Sequence, residues 1–120
     1  MINYLLSGMD MKLGFYPKQK EYLKKDIKDN SVIAFIASTF NDIENSKTFA
    51  NELLNDFKNI GITFKKSYLI TDNVSIEEAK EYINKSDVVF IMGGDTLEQI
   101  KNINEYNIIP NLQNRKGITI

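Results

Sequence analysis

Two uninterrupted apolar runs constrain this chain more than any other feature: Val32 to Ala37 within SVIAFIAS, residues 31 to 38, and Val88 to Met92 within SDVVFIM. A strand with one wet face alternates polar and apolar residues, because successive side chains point to opposite sides of the sheet. Neither run alternates, so each strand is expected to be buried on both faces, as in a parallel sheet covered by helices on both sides. Around the runs the period changes to that of a helix. Phe49, Ala50, Leu53, Leu54, Phe57 and Ile60 recur on one side of a segment that Gly61 ends, with Asn41 and Glu44 at capping-box spacing ahead of it. Ser75 and Glu78 open a further helix in which Ile76, Ala79 and Ile83 share a face.

The remaining segments fit the same alternation. INYLL, residues 2 to 6, reads as a first strand ended by Ser7-Gly8, and ITFKKSYLI, residues 62 to 70, as a strand with Ile62 and Phe64 on one face. PKQKEYLKKDIKD reads as a thin amphipathic helix around Leu23 and Ile27. Its lysines are interleaved with Glu21, Asp26 and Asp29, which describes a solvated face and not a nucleic-acid patch. Pro110 suits the first turn of a short helix. Gly117 leads into a fifth strand, expected to be left uncovered at an edge, and an uncovered edge predicts a homo-oligomer. Residues 1–120 are therefore expected to form a single α/β domain: a doubly wound, mostly parallel five-stranded sheet with helices on both faces.

Composition removes several functions. The net charge of −1 gives no field that would gather nucleic acid or an anionic membrane. No apolar run is long enough to span a bilayer, and MINYLLSGMD has no basic leader, so a cytoplasmic location is expected. With no Cys and no His, these residues alone hold no thiolate nucleophile, no Ser–His–Asp triad and no typical zinc ligand set, and no metal or cofactor is expected.

Chemistry concentrates in SDVVFIMGGDTLEQI, residues 86 to 100: an apolar strand, Gly93-Gly94, then Asp95 with Glu98 at capping spacing in a helix that Leu97 and Ile100 begin. In parallel sheets ligands bind beyond the carboxyl ends of the strands, and a following helix start offers free amide N–H groups. Ser7, Ser38, Gly93, Gly94, Asp95 and Thr96 are all placed on that rim. A plain turn with Asp95 as its cap reads the same residues without any ligand.

This stretch resembles the corresponding turn of the dipeptidase E and cyanophycinase family of serine peptidases, whose α/β fold is related to that of class I glutamine amidotransferases. The family pattern is an apolar strand, Gly-Gly-Asn, Thr or Ser, then a helix; Gly93, Gly94 and Thr96 match it, and Asp95 stands where Asn is usual. The resemblance extends over YLLSG, SVIAFIAS, NIGITF and SIEEAKEYINKSDVVF in the same order. It implies that the Gly94 N–H is an oxyanion donor and that Gly93 shapes the loop; Asp95, Thr96, Ser7 and Ser38, on the same rim, are the expected substrate contacts. It implies hydrolysis of short peptides with an acidic N-terminal residue. The family's Gly-x-Ser-x-Gly elbow and catalytic His are not among these residues, so the chain reads as the N-terminal part of such an enzyme, inactive alone. Asp95 also bears on specificity, since an ionised Asp cannot donate the hydrogen bond that Asn can.

Two other classes compete. A nucleotide- or phosphate-binding domain is one: NAD kinases and diacylglycerol kinases carry Gly-Gly-Asp-Gly-Thr after an apolar strand and bind phosphates through that loop, and this chain lacks the glycine between Asp95 and Thr96. A non-catalytic binding or oligomerising α/β module is the third reading. A receiver-like signalling domain is set aside because the first strand ends in Ser7-Gly8, without an acidic cluster; Asp72 reads as a turn residue.

Overall fold

The computed structural model describes residues 2–6, 9 and 14–120. Among the described residues, five strands and five helices follow in order: β1 (Ile2–Asn3), α1 (Pro17–Asp26), β2 (Ser31–Ile36), α2 (Ile43–Asn59), β3 (Phe64–Ile70), α3 (Ile76–Lys85), β4 (Val88–Ile91), α4 (Thr96–Glu105), α5 (Ile109–Asn114) and β5 (Ile118–Thr119). The strands form one sheet of order β1-β5-β4-β2-β3, and every neighbouring pair is parallel. β2 to β5 follow the doubly wound order of flavodoxin-like folds. The departure is at one edge, where the place beside β5 is taken by β1, the first strand in the chain.

The apolar runs become the two central strands. Ile33, Ala34, Phe35 and Ile36 of β2 pair with Val88, Val89, Phe90 and Ile91 of β4, and seven of these eight side chains are buried. On one face Phe57 of α2 is fully enclosed, with ring centroids 4.8 Å from Phe15, 5.1 Å from Phe64 and 6.2 Å from Phe90. Burying an aromatic of this size contributes about 1.5–3 kcal/mol by area alone. On the other face Tyr82 of α3 stacks on Tyr68 of β3 at 4.2 Å. Helices thus cover both faces, as the unbroken apolar runs require.

Several local expectations change. β1 is two residues long rather than five, and Ile62 lies before β3, buried in the approach to it. α2 is capped by Asp42 instead of Asn41: Asn41 sits in a turn closed by Asp42 N–H to Thr39 O (3.3 Å), and the helix starts one residue later. Gly61, at φ +87°, does end α2, and Ser75 with Glu78 forms the reciprocal capping box at the start of α3. β5 is interior, hydrogen-bonded to β4 on one side and β1 on the other. The edges are β3 and β1, so the uncovered-β5 argument for an oligomer does not hold.

Candidate functional site

In register, Ile36 of β2 lies beside Ile91 of β4, so the residues that follow emerge together at the carboxyl rim. Met92 N–H donates to Ile36 O (3.0 Å), the last backbone rung between the two strands. Beyond it Gly94 takes φ +150°, and a Cβ added there would stand 2.3 Å from Ser38 Oγ and 2.6 Å from Ser38 Cβ. Only glycine fits both the backbone conformation and the space. Gly93 is different: its φ is ordinary, it is exposed, and nothing lies within 4 Å of where its Cβ would be. The special backbone of the turn therefore belongs to Gly94, and the loop-shaping expected of Gly93 has no counterpart in its conformation.

Asp95 caps α4, its Oδ1 accepting from Glu98 N–H at 3.1 Å. The carboxylate thus satisfies one of the otherwise unpaired amides of the helix start. Thr96 is the first residue of α4 and is exposed. Ser38 packs against the turn, while Ser7 lies outside the described residues. Asp72 sits in the turn after β3, donating its N–H to Phe40 O at 3.1 Å.

What anchors this turn is a residue the sequence reading passed over. Gln99 is buried, and its Nε2 donates to Met92 O (2.8 Å) and to Ala37 O (3.3 Å). Where the β2–β4 ladder runs out, the Gln99 amide ties the ends of both strands to α4. Leu97 and Ile100, the apolar residues that open α4, point outward, 82% and 51% exposed. Gln99, Ile103 and Tyr106, spaced by four and three, form the inward face. A polar residue in phase with two apolar ones was the available signal. Tyr106 donates to Val74 O (3.1 Å), and burial, with Asp72 and Glu105 nearby, raises its hydroxyl pKa.

Two cavities adjoin the turn. A recess of about 160 Å³ is lined by Ser38, Thr39, Asp42, Asn45 and Ser46, and closed by Phe49, Met92 and Gly93. An open groove of about 740 Å³ runs along the α2 face of β4 and β5, between Leu6, Leu53, Phe90 and Ile120. Phe49 and Gly93 line both cavities. Phe49, on the apolar side of α2 by its spacing, is 43% exposed and forms the partition. A larger cavity, about 1050 Å³, lies at the opposite end, where the strands begin. There Arg115 is committed to Ile118 O (2.7 Å), Thr119 Oγ1 (3.0 Å) and Ser86 O (2.9 Å), and burial lowers its pKa against the pull of Asp87. With its guanidinium bracing β5 against the end of α3, that cavity has the weaker claim to be a site, and it is at the wrong end of a parallel sheet.

Among the described residues, no group of three or more acidic side chains is placed to hold a metal ion, and no helix is long and apolar enough to cross a membrane. Comparisons with protein-family models, with curated proteins and with solved structures find no match to this chain.

Proposed function

We propose that these residues form the N-terminal part of a cytoplasmic serine peptidase of the dipeptidase E type, with the rim at Gly93-Gly94 as its oxyanion and substrate side. The observation that carries the proposal is Gly94: a glycine-only conformation, pressed against Ser38, at the junction of a central strand and a helix. Such a junction suits a preorganised backbone donor, because its geometry is set before substrate arrives. In the completed reaction a serine supplied from outside these 120 residues attacks the peptide carbonyl, and the Gly94 N–H receives the negative charge that develops on its oxygen. The acidic N-terminal preference rests on the family resemblance alone.

A phosphate-loop reading has less support: Asp95 is engaged in capping α4, and the turn is one glycine short of that motif. Self-association belongs to the proposal on a new basis, the exposed Leu97 and Ile100 on α4, and sedimentation velocity across a concentration series tests it. The test of the peptidase itself uses the complete gene product. Short peptides should be hydrolysed, and Gly94→Val, with folding checked by circular dichroism, should lower kcat by about 10²–10³ with little change in KM. A gene product that hydrolyses no peptide, or a folded Gly94→Val with unchanged kcat, sinks the assignment.

A further inference from the structure

The cavity walls bear on which ligand the rim accepts. Recognising an acidic side chain calls for a cation or a cluster of free donors. Among the described residues, neither the groove nor the recess is lined by Lys or Arg, and the one charged side chain lining either of them is Asp42. Asp42 Oδ2 accepts from Asn45 Nδ2 at 2.8 Å, and its Oδ1 accepts from Asn45 N–H at 3.4 Å, so the recess presents a carboxylate where α2 would otherwise offer that free amide. An anionic group placed there would meet a like charge; an ammonium would meet an opposite one. The groove on the other side of Phe49 is lined mainly by apolar side chains, among them Leu6, Leu53, Phe90 and Ile120, with Asn3, Tyr4 and Thr119 as its polar ones, so it rewards an apolar body and offers an acidic one no counter-charge. Its volume suits a small ligand, since such sites span about 300–1,000 Å³ and are mainly apolar with a few polar groups.

We infer that this rim selects a small amphiphilic ligand carrying an apolar side chain and a free ammonium: the apolar part lies in the groove, the ammonium beside Asp42 in the recess, and Phe49 and Gly93 form the partition between them. An amino-terminal residue with an apolar side chain has this chemistry, and an acidic one does not. The inference rests on the reading that this rim is the substrate side, but not on catalysis.

The test is an NMR titration of the ¹⁵N-labelled complete gene product with L-leucinamide, L-glutamic acid α-amide and N-acetyl-L-leucinamide. Leucinamide should shift the amides of Phe49 and Gly93, and bind about tenfold or more tighter than the glutamic acid amide, the scale on which apolar pockets discriminate. Acetylation, which removes the charge, should weaken binding several-fold. Asp42→Asn keeps an acceptor for Asn45 N–H, so α2 stays capped. In that variant leucinamide should bind no better than its acetylated form. Equal or tighter binding of the glutamic acid amide, an unchanged preference for the free ammonium in Asp42→Asn, or no shift at Phe49 and Gly93 each overturns the inference. Because the titration involves no turnover, a gene product that hydrolyses nothing would remove the peptidase reading and leave this preference standing.

Discussion

Replacing Gly94 by alanine probes the geometry of the rim directly. Two costs arise from separate features of the structure. The first is conformational: φ +150° is a backbone region that L-residues avoid, at about 1–3 kcal/mol. The second is steric: the new Cβ would stand 2.3 Å from Ser38 Oγ, so either Ser38 or the turn must shift, at about 1–3 kcal/mol for an overpacked site. Together they predict a loss of about 2–6 kcal/mol, a large share of the about 5–15 kcal/mol that holds a typical domain folded. Urea unfolding followed by far-UV circular dichroism reads this out, a suitable probe since the chain has no Trp. A second variant separates the two costs. Ser38→Gly removes the steric partner but not the backbone strain, so the double variant should recover about 1–3 kcal/mol relative to the sum of the singles. Gly93→Ala, one residue away with nothing near its Cβ, should stay within about 0.5 kcal/mol of the parent. If Gly94→Ala is equally harmless, or if Ser38→Gly shows no coupling to it, Ser38 does not pack against the turn and the site as described is wrong.

Gln99→Leu keeps the side chain's bulk but withdraws the donor from Met92 O and Ala37 O, and should cost about 1–3 kcal/mol in the same urea assay. A neutral or stabilising outcome would mean the clamp is not formed. Asp95→Ala should destabilise by about 1 kcal/mol through loss of the α4 cap, with Asp95→Asn close to the parent; equal losses in both would deny the cap its role. The hydroxyls of Tyr4, Tyr82 and Tyr106 all have raised pKa values, in each case chiefly through burial, with nearby carboxylates adding to it. A group that holds its proton more tightly when folded contributes stability that is complete below its unfolded pKa and is lost as pH rises through the folded one. Phenolate absorbance of the native protein should therefore lag that of the unfolded chain above pH 10.0, and stability should fall over the same window. Coincident titrations of the two states would contradict the burial of these hydroxyls.

The layered α/β architecture was legible in the sequence because burial on both faces leaves a local mark: VIAFIA and VVFIM cannot alternate if neither face is wet. Caps were legible for the same reason, since Ser75 and Asp95 bond to amides three residues ahead. What lay beyond the sequence depends on pairs far apart in the chain. β5 is interior because β1, more than a hundred residues earlier, pairs with its other side, and no pattern within RKGITI records that. Gln99 looks like an ordinary surface residue of a helix until Ala37, 62 positions away, brings a carbonyl to its amide. Gly93 and Gly94 are equivalent as letters; Ser38, arriving from the neighbouring strand, makes one of them indispensable and leaves the other free. Local burial and hydrogen bonding are written in short-range pattern, whereas a site is built where separate strands end side by side, and only the folded sheet decides which ends those are.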